Sequence, residues 1–135
     1  MNNDKKASVF ILLGRVALSA LFIIFGFLKI GTFAGMVAFA TSAGVPFPEL
    51  AITLAIVIEL LAGLMVLVGY QTKWAALAIA LFLIPVTYYF HRNFADQVNL
   101  TMFWKNISIL GGMLVLAAHG AGRYSIDGYL AKKSS

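Results

Sequence analysis

The hydrophobic positions of this chain fall into four long apolar runs, separated by short polar segments. A helix needs about 20 apolar residues to cross the hydrocarbon core of a bilayer. The runs that meet this length are residues 8–30, 50–70, 74–90 and 102–119. Only Gln71, Thr72 and Lys73 separate the second run from the third, which makes those two helices antiparallel neighbours. The pattern predicts an all-α membrane protein with a four-transmembrane-helix antiparallel bundle.

A shorter apolar stripe lies between the first two runs. Phe33, Met36, Val37 and Ala40 follow the spacing of one helix face, but the stretch is too short to span a membrane. The sequence therefore predicts a short interfacial helix at about residues 32–43.

Both ends of the chain are polar. A basic start followed by an apolar run is also typical of a signal peptide, but Arg15 within the run argues against that alternative. We therefore expect the first run to be a retained span. Residues 123–135 are expected to form a polar tail with solvated lysines.

Composition supports a membrane protein with a single domain over residues 1–135. Of the 135 residues, 61% are hydrophobic and 11% are charged, whereas soluble domains carry about 25% charged residues. The net charge of +5 is spread over single Lys and Arg residues at the ends of apolar runs, so we expect a lipid bilayer and not nucleic acid as the partner. Without cysteine, the chain has no thiolate chemistry of its own.

The basic residues also predict an orientation. Four spans place both termini on one side, and six basic residues lie on that side against three on the other. The six are Lys5, Lys6, Lys73, Arg123, Lys132 and Lys133, and the three are Lys29, Arg92 and Lys105. The positive-inside rule then places both termini in the cytoplasm.

Two charges lie well away from the ends of the apolar runs. Glu59 is the only charged residue of the second run, and Arg15 interrupts the first. A charged group facing lipid costs at least ~2.5 kcal/mol, so both side chains should face the bundle interior. Their predicted depths differ by about one helical turn, which an arginine side chain spans. Arg15 and Glu59 are therefore expected to meet, either as an ion pair that holds two helices together or as a site for a headgroup or a proton.

Mainly polar and small residues form stripes with helical spacing on two of the helices. The first helix carries Arg15, Ser19, Phe22, Gly26 and Lys29, and the fourth carries Lys105, Ser108, Gly112, Val115 and His119. We expect these stripes to face inward, as packing seams or as parts of a site. The candidate ligand-binding or proton-relay residues are Arg15, Lys29, Glu59, His91, Lys105 and Asn106. The two histidines lie at opposite membrane faces, so no metal site is expected.

Several segments together resemble the DoxX family of small bacterial inner-membrane proteins. They are GRVALSALFIIFGFLKI at 14–30, AGVPFPEL at 43–50, IELLAGLMVLVGYQTKWAAL at 58–77, FHRNF at 90–94 and FWKNISILGGMLVLAAHGAGRYSID at 103–127. The resemblance implies four helices, and the family's pattern falls on Arg15, Gly26, Lys29, Glu59, Lys105, Asn106 and Gly112. It also implies a link to redox systems, because related subunits accompany thiosulfate:quinone oxidoreduction and others associate with membrane oxidoreductase complexes.

These observations favour a subunit or accessory of a quinone-linked redox system, not a complete enzyme. Arg15, Lys105 and Asn106 would donate hydrogen bonds to a quinone, while Glu59 or His91 would carry protons. No other cofactor is evident. The alternatives are a carrier or channel for small solutes or protons, and a non-catalytic membrane scaffold. A redox partner protein and a homo-oligomer are both compatible with the sequence.

Overall fold

The computed structural model describes residues 2–135, and this part of the chain is helical without any strand. Its helices are α1 (Asn3–Gly31), α2 (Phe33–Ser42), α3 (Pro48–Val68), α4 (Thr72–Phe90), α5 (Gln97–His119) and α6 (Ile126–Ser134). Within residues 2–135, α1, α3, α4 and α5 are long and apolar enough to cross a membrane. The predicted all-α architecture, with a short helix between the first and second spans, is confirmed.

Two spans are longer than the sequence predicts because polar residues cap them beyond the apolar runs. The side chain of Asn2 accepts a hydrogen bond from the Lys5 N–H at 3.0 Å, and α1 begins at Asn3. Asp96 likewise accepts from the Val98 N–H at 3.0 Å, so α5 begins at Gln97, five residues before the fourth apolar run. Such caps satisfy backbone donors that the first turn of a helix leaves free.

The C-terminal segment, predicted as a polar tail with solvated lysines, exposes both lysines and forms the helix α6, which Ser125 caps. Asp127 in its first turn accepts hydrogen bonds from the Gln71 and Thr72 N–H groups at 2.8 and 2.9 Å. The Asp127 N–H donates in turn to the Gly69 carbonyl at 2.8 Å. Asp127 thus satisfies the free donors at the start of α4 and holds α6 across one end of the bundle.

The core of the bundle is a layer of apolar side chains with one contribution from each span. Phe22, Val66, Ile79 and Met113 are each at most 1% exposed and belong to one packed cluster. Large apolar side chains on the outer faces of the spans are exposed, as expected for helices whose outer faces contact lipid.

One predicted stripe faces inward only in part, at Lys105 and Gly112. On α5, Ser108, Val115 and His119 are exposed, whereas Asn106, Met113 and Leu116 form the buried face. The reason is that α5 packs mainly on α4 and leaves a groove of about 610 Å³ between itself and α1. The α1 stripe is correct, because Arg15, Ser19, Phe22 and Gly26 are all buried.

Candidate functional site

Glu59 forms an ion pair with Lys29 inside the bundle. The Lys29 Nζ lies 3.0 Å from Glu59 Oε1 and 2.9 Å from Oε2, so it donates to both carboxylate oxygens. The side chains of Lys29 and Glu59 are 17% and 8% exposed. The pair joins α1 to the middle of α3, where residues Ile58–Ala62 form a π-helical turn. Such turns are rare in helices and frequent at functional sites.

Gly26 allows α1 and α3 to approach closely enough for this pair. A Cβ atom at position 26 would lie 2.9 Å from the Cβ of Glu59 and 3.1 Å from Cγ of Leu60. Because Gly26 precedes Lys29 by one turn, the close contact places the Lys29 ammonium directly beside the carboxylate. The small residue on α1 therefore helps to position the charge pair.

The predicted meeting of Arg15 and Glu59 is wrong. Arg15 is 1% exposed and its Nη2 donates to the Tyr124 carbonyl at 2.7 Å. Its guanidinium lies against Gly69, at the end of α3, while Glu59 is level with Gly26. The eleven residues from Arg15 to Gly26 correspond to about 16 Å along α1. The prediction failed because it placed the ends of the two spans at one level, whereas α1 extends well past the end of α3.

Five of the six predicted site residues line a single cavity of about 390 Å³. They are Lys29, Glu59, His91, Lys105 and Asn106. Two ammonium groups against one carboxylate give the cavity an excess of one positive charge when His91 is neutral. The sequence reasoning thus found these five residues, but it did not predict that α2 covers them.

The remaining walls of the cavity are mainly apolar and aromatic. The phenylalanines among them are Phe22, Phe25, Phe39, Phe82 and Phe90. Phe39 on α2 stacks on Phe90 at the end of α4, with their ring centroids 5.0 Å apart, and Met36 of α2 also lines the cavity. In the sequence, only the apolar stripe of α2 indicated that this helix packs over other residues.

Hydrogen bonds fix the orientation of Asn106 and His91. The Asn106 Nδ2 donates to the Thr87 hydroxyl at 3.0 Å in a buried contact. The Nδ1 of His91 lies 3.3 Å from Asn99 Oδ1, and the Asn99 amide nitrogen donates to Asp96 at 3.2 Å. Because Asn99 turns its amide nitrogen to Asp96, it presents its oxygen to the ring of His91, an arrangement in which Nδ1 would donate and Nε2 would face away from Asn99.

The apolar layer of Phe22, Val66, Ile79 and Met113 lies between the cavity and Arg15. Phe22 lies between Arg15 and Gly26 on α1, and Val66 lies between Glu59 and Gly69 on α3. This buried layer therefore separates the cavity from Arg15. Within residues 2–135, no three His, Cys, Asp or Glu side chains converge as metal ligands would.

Comparison with known proteins identifies the family. The DoxX family model matches residues 10–92, which is more than half of the chain. The chain belongs to the DoxX family. It is 41% identical to the inner membrane protein YqjF of Escherichia coli over 129 residues, covering 96% of this chain and 98% of that protein.

Two further relatives are more distant. The inner membrane protein YphA of Escherichia coli is 36% identical over 124 residues, covering 88% of this chain and 89% of that protein. The ER-derived vesicles protein ERV29 of Saccharomyces cerevisiae is 27% identical over 135 residues, covering 93% of this chain but 35% of that protein. No solved structure matches the chain. With its four apolar spans, the chain is an integral inner-membrane protein of the DoxX family.

Proposed function

We propose that the cavity binds the headgroup of a quinone and that the protein is an accessory or subunit of a quinone-linked redox system in the membrane. The observation that carries this proposal is the convergence of Lys29, Glu59, His91, Lys105 and Asn106 in one cavity with aromatic walls. Ligand cavities combine largely apolar walls with a few placed polar groups, and their volumes start at about 300 Å³. A quinone headgroup has the matching chemistry, since it is a flat apolar ring with two carbonyl oxygens.

The polar residues match the needs of a quinone that is reduced in place. Lys105 and Asn106 offer donors for the carbonyl oxygens. Reduction to the quinol consumes two electrons and two protons. Glu59 and the Nε2 of His91 would each take up a proton from the aqueous phase and pass it to a carbonyl oxygen of the reduced ring. We assign the electrons to a separate redox partner, since the chain has no thiol of its own. Arg15 has no part in this role because it lies outside the cavity.

The same cavity is less suited to a carrier or channel. A pathway across the bundle would have to pass the layer of Phe22, Val66, Ile79 and Met113, whose side chains are fully buried and tightly packed. Hydrophobic constrictions of this kind block ions and polar solutes. With both termini in the cytoplasm, as the basic residues predict, the cavity would lie in the periplasmic half of the membrane.

The two tryptophans allow a direct test. Trp104 precedes the cavity residue Lys105, whereas Trp74 lies in the first turn of α4, at the opposite end of the bundle. A bound quinone quenches a nearby indole, so each fluorophore can be titrated alone in a Trp74→Phe or a Trp104→Phe background. We expect Trp104 to be quenched saturably and Trp74 to show only the linear quenching caused by quinone dissolved in the micelle.

Charge-neutral variants complete the experiment. Lys105→Met and Glu59→Gln should weaken the saturable phase at Trp104, and Lys133→Met on the exposed face of α6 should leave it unchanged. If Trp104 and Trp74 are quenched alike and without saturation, the proposed function is wrong. A saturable phase that is equal in all variants would place the quinone outside the cavity and would also reject the proposal.

A further inference from the structure

A second cavity adjoins the polar one on the lipid-facing side of the bundle. It is a groove of about 470 Å³ between α3 and α4, lined by apolar and aromatic side chains. The groove and the polar cavity share five wall residues. These are Ile52, Ala55, Phe82, Val86 and Phe90. The groove therefore lies directly beside the site that holds Lys29 and Glu59, and the five shared side chains form the wall between them.

The groove runs along the spans and opens toward lipid. It extends from Pro46 and Tyr89 near the end of the bundle to Ala78 and Leu81 near the middle. The eleven residues from Ala78 to Tyr89 correspond to about 16 Å of helix. Leu54 and Leu81, which line the groove from α3 and α4, are 50% and 68% exposed. A molecule in the groove is thus in contact with the bilayer along its length.

We propose that the ligand of the polar cavity carries an apolar chain, that this chain lies in the groove, and that the ligand enters from the lipid between α3 and α4. This inference rests on the proposed function and narrows it to membrane-resident quinones with an alkyl or prenyl chain. The charges hold the headgroup on one side of the shared wall, and the other side offers only apolar surface. Such an arrangement fits an amphipathic ligand better than a water-soluble one.

The groove can be filled without disturbing the bundle. Ala78 lines the groove and is exposed, so Ala78→Leu adds volume there without entering the core. Ala118→Leu is a matched control, because Ala118 is exposed on α5 and lines neither cavity. A second groove variant, Ala51→Leu, narrows the groove from α3. Folding of each variant is checked by circular dichroism and gel filtration.

The experiment compares two benzoquinones with the same ring, one with a decyl chain and one without, by quenching of Trp104. We expect Ala78→Leu to weaken binding of the decyl quinone by about five- to tenfold, because the larger side chain occupies space that the decyl chain needs. This factor corresponds to the low end of the usual free-energy cost of overpacking. Binding of the chainless quinone should not change. Ala118→Leu should affect neither ligand, and Ala51→Leu should act like Ala78→Leu.

The possible failures are distinct. If both quinones bind saturably and the two groove variants leave their affinities unchanged, membrane lipid occupies the groove and this inference is wrong, although the proposed function stands. If Ala78→Leu weakens both quinones equally, the groove does not hold the chain, and the inference is again wrong. If neither quinone binds saturably to the wild-type protein, the proposed function fails and this inference fails with it.

Discussion

Replacing Lys29 by Met tests the ion pair at the centre of the cavity. Lys29 is the only basic residue within 4.0 Å of the Glu59 carboxylate in residues 2–135, and both side chains are largely buried. Removing one partner of a buried pair costs about 3–5 kcal/mol, because the remaining charge loses its compensation. Lys105 lines the same cavity and still attracts the carboxylate, so we expect Lys29→Met to cost about 3 kcal/mol, the low end of that range.

The double variant separates the pair from other effects of the substitution. Lys29→Met with Glu59→Gln removes both charges of the pair, so it should be more stable than the sum of the two single changes predicts, by about 2–3 kcal/mol. Unfolding free energies would be measured by titrating the protein from a mild detergent into sodium dodecyl sulfate and following circular dichroism. Lys133→Met is the control, because that lysine is exposed at the end of α6.

Additive changes in the unfolding free energy would refute the proposed interaction between Lys29 and Glu59. If the two single effects sum to that of the double variant within about 0.5 kcal/mol, Lys29 and Glu59 do not interact in the membrane protein. A larger effect of the control than of Lys29→Met would equally contradict it.

Three further predictions concern the approach of α1 to α3, the docking of α6 and the orientation of the termini. Gly26→Ala should lower the unfolding free energy in the same titration by about 1–3 kcal/mol, because the added methyl group overpacks the contact with α3. Gly14→Ala is the control and should be neutral or stabilising, since a Cβ atom there has no neighbour within 4 Å. Equal effects of the two substitutions would contradict the close approach at Gly26. Burial raises the pKa of Asp127, but the N–H donors of the turn before α4 and the charge of Arg15 outweigh it and lower this pKa overall. The ionised Asp127 therefore stabilises the docked α6 above the ordinary pKa near 3.8, and this stabilisation is lost as the pH falls through the lower native pKa. Amide hydrogen exchange of α6 should accelerate in the wild-type protein only in strong acid, and in Asp127→Asn already at neutral pH. Identical exchange in the variant and the wild-type protein would exclude this role of Asp127. Because the chain has no cysteine, Ser135→Cys introduces a single thiol. If the termini are cytoplasmic, a membrane-impermeant maleimide should label this thiol in inverted vesicles and not in intact cells. The reverse labelling would overturn the predicted orientation.

Much of the fold was predictable because it depends on local properties of the sequence. Apolar runs of spanning length fix the number of spans, and short turns between them fix which helices are neighbours. The inward position of Glu59 also followed from its cost in lipid. The inward position of Lys29 and Lys105 could be predicted from the helical spacing of the polar stripes to which they belong, and that of Asn106 from its place next to Lys105.

The relative heights of the helices were not predictable in this way. Periodicity relates residues within one helix, whereas the partner of Glu59 depends on how far α1 slides along α3. Gly26 marks the level at which α1 meets Glu59. Arg15 lies about three turns from that level where the prediction had about one, so Lys29 takes its place as the partner. The α6 helix was missed because its anchor, Asp127, contacts a turn more than fifty residues away.

The most direct test of the account is native mass spectrometry of gently extracted wild-type protein beside Glu59→Gln. If the cavity binds an amphipathic quinone, the wild-type protein will retain a small molecule with the mass of a membrane quinone, and the variant will lose it while remaining folded. If both proteins are folded and neither retains such a molecule when the extract is supplied with quinone, the cavity is not a quinone site and the polar residues serve only to hold the bundle together.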